Sequence, residues 1–106
     1  MKPIILLACC ASFAAHAEYY TGNSLLALMR GNTNEQIAAL GYVTGAADAL
    51  RGTTHCTPNG VTVGQVHDMT RQAIEDMPQM RHHTADSFVS YVLNKAWPCP
   101  KKGTGV

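Results

Sequence analysis

Two cysteines, Cys56 and Cys99, enclose the second half of the chain and place the strongest constraint on its fold. Most of the stretch between them has the apolar spacing of helices. Outside the cytoplasm, an even pair of this kind is typical of a disulfide. The bond would close a loop of about 43 residues and contribute on the order of 4 kcal/mol in the chain-entropy model. In a chain of 106 residues, which is one domain at most, that is a large share of the total stability.

The first seventeen residues have the order of features that is typical of a secretory signal peptide. Lys2 supplies a positive start, residues 4–13 are apolar, and Ala-His-Ala at 15–17 matches the cleavage pattern. We therefore expect residues 1–17 to be removed. The mature chain would begin at Glu18 and lie in the periplasm.

Two other interpretations of this leader stay open. It could form a buried N-terminal helix, or Leu-Leu-Ala-Cys at 6–9 could be a lipoprotein signal that places lipid on Cys9. The apolar run is shorter than the ~20 residues that cross a bilayer, so we expect no membrane anchor unless Cys9 is lipidated. Cleavage after Ala17 would remove Cys9 and Cys10 and leave the later pair.

The charge balance excludes one class of partner. The formal net charge is +1 at pH 7, and cleavage of the leader would remove Lys2 and bring acidic and basic residues into balance. A nucleic-acid-binding protein needs a basic stripe to displace counterions. We expect no nucleic-acid partner.

Four segments have helical spacing, and none shows the convincing alternation of a strand. They start near Thr21, Thr33, Thr62 and Thr84. Capping boxes are predicted where Asn32 precedes Glu35 and where Thr62 precedes Gln65. A short link joins the last two segments, so they should pack antiparallel, which would bring the two cysteines together. The expected fold class is all-α, a small four-helix bundle stapled by one disulfide, covering residues 18–100 before a flexible tail at 101–106.

The second segment carries two apolar stripes. One contains Ile37, Leu40 and Val43, and the other contains Gly41 and Gly45. Two glycines inside a helix cost roughly 1 kcal/mol each, so we expect another backbone to approach them closely. Asp48 lies on or near the glycine stripe. A bond to nearby backbone or to Tyr42 is favoured for it over a contact with a partner.

The polar residues indicate neither a metal site nor catalysis. His55, His67, His82 and His83 lack zinc-ligand spacing, so no metal and no cofactor is expected. A Cys–His hydrolase using Cys56 is conceivable, but a disulfide leaves no thiolate. A small helical bundle also has little room for a substrate cleft. We expect a binding protein rather than an enzyme.

Three blocks in this order resemble the Rap/Tai family of bacterial immunity proteins. They are GYVTGAAD at 41–48, CTPNGVTVGQ at 56–65 and AWPC at 96–99, and the resemblance extends over about residues 20–99. It assigns structural roles in the family motif to Gly41, Tyr42, Gly45, Asp48, Pro58, Gly60, Thr62, Gln65 and Trp97.

The resemblance implies a small, all-helical periplasmic protein that neutralises an effector. The partner would be a secreted peptidoglycan amidase of a type VI secretion system, inhibited by occlusion of its active-site groove. Self-association as a homodimer is also implied. Anchors that fill a groove are often aromatic or arginine side chains on loops. The candidate partner-binding residues are Asn59 in the turn after Cys56 and Arg81, His82 and His83 in the link before the last helix.

An alternative function is a periplasmic acid-stress chaperone of small helical type. Protonation of buried neutral histidines at low pH would disfavour the fold and expose apolar surface. Loss of near-UV circular dichroism with dye binding below about pH 4 would support it.

Overall fold

The computed structural model describes residues 19–101, which form four α-helices and no strand. The helices are α1 (Gly22–Met29), α2 (Thr33–Leu50), α3 (Val63–Asp76) and α4 (Ala85–Ala96), with a 3-10 turn at Pro78–Met80 between α3 and α4. Cys56 and Cys99 form a disulfide. The predicted all-α bundle with one disulfide is therefore confirmed. The predicted leader at 1–17 lies outside the described residues, as does the tail beyond Lys101.

Local side-chain bonds set the starts of three helices. Capping boxes pair Thr21 with Ser24 at α1, Asn32 with Glu35 at α2, and Thr62 with Gln65 at α3. In each box the side chain of the cap residue accepts from the backbone N–H of the third helical residue. The side chain of that third residue accepts in turn from the backbone N–H of the cap residue. The two boxes predicted from the sequence are confirmed.

The α3–α4 hairpin is antiparallel, as predicted. The disulfide joins Cys56, in the loop before α3, to Cys99, which follows α4. Beside it, the backbone N–H of Cys56 donates to the carbonyl of Trp97 at 2.8 Å. The core lies where this hairpin meets α1 and α2. Its buried apolar side chains are Leu25, Leu26, Met29, Ala39, Val43, Val66, Ile74, Ala85, Phe88, Val89, Val92 and Leu93.

The face that α2 buries agrees only in part with the expected one. Val43 of the expected stripe is fully buried, but Ile37 and Leu40 of the same stripe are 62% and 40% exposed, and Ala39 is buried instead. The small side chain of Ala39 lets α2 lie close to its neighbouring helices, so packing favours the line through Ala39 and Val43 over the larger residues. Apolar residues lie all round this helix, and spacing alone could not decide between the stripes.

The two glycines of α2 also differ from the expectation. Apart from the backbone of α2 itself, a Cβ atom placed on Gly41 or Gly45 would meet no atom of the described residues within 4 Å. Both glycines lie on the outer surface of the bundle. The expected close approach of another backbone is therefore not found within residues 19–101.

Across the described part of the chain, none of the helices combines the length and apolar character that a membrane crossing requires.

Candidate partner-binding site

The link between α3 and α4 is held in place by the first turn of α1. The backbone amides of Gly22 and Asn23, which lack partners inside α1, donate to the carbonyls of His83 and Arg81, each at 2.9 Å. The amide of Ala85 donates in turn to the carbonyl of Tyr20 at 2.7 Å. These bonds clamp the link on both sides of His82 and His83.

Gly22 is the residue that allows this close approach. A Cβ atom at this position would lie 2.7 Å from a ring carbon of Phe88 and 3.1 Å from the carbonyl oxygen of Arg81. The second contact is with backbone, which cannot move aside as a flexible side chain can. A glycine is therefore required where α1 meets the link.

Arg81 points back toward α3 and acts on its C-terminus. Its guanidinium donates from Nε to the carbonyl of Ile74 at 2.8 Å and from Nη2 to the carbonyl of Glu75 at 3.0 Å. A cation at the end of a helix also interacts favourably with the helix dipole. The structure thus gives this predicted contact residue an internal role, and its side chain is only partly exposed.

His82 and His83 are both exposed at the tip of the link. Their ring centroids lie 4.3 Å apart with the planes tilted by 35°. The clamped backbone therefore presents two adjacent imidazoles to solvent. Such a rigid, exposed pair loses little conformational freedom on binding.

The turn that carries Asn59 is organised by Arg51. The Arg51 guanidinium donates from Nε and Nη2 to the carbonyl of Thr57, at 3.1 and 2.7 Å, and from Nη2 to Oδ1 of Asn59 at 3.2 Å. Gly60 adopts a positive φ of 101° at the end of the turn, a conformation that glycine reaches without strain. The side-chain oxygen of Asn59 therefore already has a partner within the chain.

His55 is buried, with 1% exposure, and connects this turn to α2. The carbonyl of Ala47 can only accept, so Nε2 of His55 donates to it at 2.8 Å. Nδ1 then accepts from the hydroxyl of Thr57 at 2.7 Å. The backbone N–H of Arg51 donates to the carbonyl of Asp48 and not to the carbonyl of Ala47. The imidazole of His55 is therefore the donor to the Ala47 carbonyl, in the last turn of α2. Zinc-ligand spacing in the sequence gives no sign of this role, because the role depends on the folded loop.

The candidate contact residues fall into two groups at opposite ends of the hairpin. Asn59 lies before the start of α3, whereas Arg81, His82 and His83 follow its end. The 14 residues of α3 separate the groups by roughly 20 Å at 1.5 Å per residue. The structure brings the last three together and leaves Asn59 apart from them.

The remaining residues of the family motif lie mainly in α2 and around the disulfide. Tyr42 packs edge-on against Tyr20 with ring centroids 5.1 Å apart. Burial and the nearby carboxylate of Asp86 raise the pKa of the Tyr42 hydroxyl above its ordinary value. Asp48 is exposed and lines a small hollow beside His55. Pro58 is exposed in the turn, and Trp97 packs against the core.

The pKa of Glu75 is shifted by its helix neighbour. The Arg71 guanidinium donates to this carboxylate at 2.7 Å, which holds the pKa of Glu75 below its ordinary value. The pair is solvent-exposed and spaced four residues apart on α3. It therefore supports the helix surface and does not mark a reactive group.

Three apolar residues near the link were not predicted as functional. Met77 is half-buried, and Met80 and Tyr91 are 39% and 48% exposed. They lie together on the outer side of the hairpin, where Met77 and Tyr91 line two adjoining hollows. Their exposure depends on how α3 and α4 pack, so helical spacing alone could not single them out.

No free cysteine thiol is present within residues 19–101, because Cys56 and Cys99 are joined. In the same residues, no group of three or more His, Cys, Asp or Glu side chains is placed to hold a metal ion. The feature that remains is the exposed pair His82 and His83, beside the hollow that Met77, Met80 and Tyr91 line.

A comparison with protein families gives a match that extends over all four helices. The model of the Rap1a immunity proteins matches residues 21–99, from the cap of α1 to the second cysteine of the disulfide. A search of curated proteins gives no significant match. The match covers most of the chain, and the chain therefore belongs to the family of Rap1a immunity proteins.

Proposed function

We propose that this protein is exported to the periplasm, where it binds a peptidoglycan amidase delivered by a type VI secretion system and blocks its active-site groove. The family match is the observation that carries the proposal, since immunity proteins act on a partner effector. Inhibition by binding needs no catalysis. The protein would work stoichiometrically and without a cofactor.

The link between α3 and α4 supports a mechanism of occlusion. It projects His82 and His83 into solvent while α1 holds its backbone on both sides. An inserted loop that is already ordered loses less entropy on binding than a flexible one. In this proposal His82 and His83 contact the effector, and Arg81 keeps the link in position. Asn59, at the other end of the hairpin, would contact a partner only if the interface extended along α3.

The test is rescue of cells that produce a toxic amidase in their periplasm. The full chain is co-expressed with each of a panel of periplasm-directed type VI amidases, and lysis is followed by culture density. The proposal predicts that the chain prevents lysis by at least one amidase. A chain without residues 1–17 should give no rescue, because it would stay in the cytoplasm. Failure against the whole panel would overturn the assignment.

The link is tested by a double variant, H82S with H83S. Rescue should weaken while the melting temperature stays unchanged, because both side chains are exposed. The matched control is N34S at an exposed position on α2, which should rescue like the unaltered chain. Equal rescue by the double variant would exclude the link as the inhibitory element.

Two further features of this proposal concern the mature form and its assembly. Mass analysis of the periplasmic protein should give a chain that starts at Glu18, whereas lipid on Cys9 would give an earlier start and a larger mass. The molar mass in solution, measured by light scattering, should be that of the homodimer that the family resemblance implies.

A further inference from the structure

A continuous apolar groove runs along the outer side of the α3–α4 hairpin. It consists of two adjoining hollows of about 360 and about 280 Å³ that share Met77 and Tyr91. Met69, Met77 and Met80 line it from α3 and the turn that follows, and Phe88, Tyr91 and Lys95 line it from α4. We call this surface the hairpin groove.

The groove is open to solvent, since Met80 and Tyr91 are 39% and 48% exposed. From Met69 to Asp76 it follows about two turns of α3, or ~10 Å at 1.5 Å per residue, and the turn at Met80 extends it toward the link. Methionine side chains are flexible and polarizable, so they adjust to an apolar ligand. Grooves of this length and composition accept the apolar face of an amphipathic helix.

Charge is placed asymmetrically on the two banks. The hollow nearest the link has no Asp, Glu, Lys or Arg in its lining. In the other hollow, Asp76 is the last residue of α3, beside Met77, whereas Lys95 lies in the last turn of α4, at the end away from the link. Asp76 forms no ion pair with any other described residue, and the Lys95 ammonium lies 5.7 Å from the centre of the Tyr91 ring. The groove is therefore complementary to a segment that is apolar at its link end, basic near its middle and acidic at its far end.

We propose that the hairpin groove receives an amphipathic helical segment of the effector. This segment presents its apolar face to Met77, Met80 and Tyr91, a basic side chain to Asp76 and an acidic one to Lys95. Because His83 lines the groove at its link end, one partner can contact the link and the groove together. The inference rests on the proposed function and adds a second contact, in which the effector is held along the hairpin as well as blocked by the link.

The test measures binding of the purified protein to the same panel of type VI amidases, each made inactive by substitution of its nucleophile. Three forms are compared by biolayer interferometry: the unaltered chain, Y91K in the groove, and L40K on α2. Tyr91 and Leu40 have similar exposures of 48% and 40%, so both variants should keep the melting temperature. Loss of a central anchor weakens binding by ~30-fold or more. We expect this loss for Y91K and no change for L40K.

A K95E variant tests the charges separately. It should weaken binding by a smaller factor, and the loss should shrink at high salt because exposed charges are screened. Binding by the unaltered chain that Y91K retains would overturn the groove while leaving the proposed function intact. Absence of binding by the unaltered chain would overturn both. If Y91K instead converts a dimer into a monomer in light scattering, a second copy occupies the groove and the proposal is wrong.

Discussion

Replacing Gly41 and Gly45 with alanine should stabilise the protein, because the structure leaves room for both methyl groups. Apart from the backbone of α2 itself, no described atom lies within 4 Å of either added Cβ, and both glycines are exposed within α2. Alanine is favoured over glycine in a helix interior by ~0.8–1 kcal/mol per residue. The two positions lie one helical turn apart, so about 2 kcal/mol is the upper bound of the combined gain. The expected rise in melting temperature is about 10 °C.

The assay is urea unfolding followed by circular dichroism at 222 nm with the disulfide intact. The midpoint should rise while the slope stays unchanged, which separates a change in stability from a change in exposed surface. The matched control is G22A. There the methyl group would meet Phe88 and the backbone of Arg81, and overpacking of this kind costs roughly 1–3 kcal/mol.

A fall in the stability of the G41A/G45A variant would refute this reasoning if the protein is a monomer by light scattering. It would mean that a backbone of the same chain does approach the glycines, as the sequence pattern suggested. A fall accompanied by loss of a dimer would have a different meaning. It would place a second copy on this face of α2.

Four other outcomes are expected. Replacing Cys56 and Cys99 together with serine should lower the free energy of unfolding by up to ~4 kcal/mol, measured by urea unfolding. H55F should cost about 1–3 kcal/mol in the same assay, because the partly buried carbonyl of Ala47 loses its donor. Burial raises the pKa of Tyr42 in the folded state, so its contribution to stability is complete below pH ~10 and is lost as the pH rises through the folded pKa. Tyrosinate absorbance at 295 nm should show one late-titrating group that Y42F removes. Finally, acidification to pH 4 should leave near-UV circular dichroism unchanged and induce no dye binding, because His55 is the one buried histidine of the described residues and the disulfide still holds the hairpin, whereas loss of signal with dye binding would favour the acid-stress chaperone.

The helix starts could be predicted from the sequence because the interactions that set them are local. The box at Asn32 and Glu35 joins residues three apart, and so does the box at Thr62 and Gln65. Such bonds form with little dependence on the rest of the chain. The disulfide was predictable for a related reason, since two helices joined by a short link return close to their starting point.

The candidate site was predicted less completely. The link was recognised as an exposed segment, but nothing in its sequence separates Arg81, which turns inward, from His82 and His83, which face solvent. The outcome depends on the carbonyls at the end of α3 and on the amides at the start of α1. These groups are brought to the link only by packing of the helices.

The sequence alone thus predicts the helices, two of their caps and the disulfide. Each of these depends on residues a few positions apart or on one pairing of cysteines. The buried face of α2 and the groove beside Tyr91 were decided in three dimensions. Several apolar stripes on α2 could face the core, and the buried one is the line through Ala39 and Val43, where small side chains allow close contact between helices. Larger residues such as Ile37 and Leu40 remain on the surface.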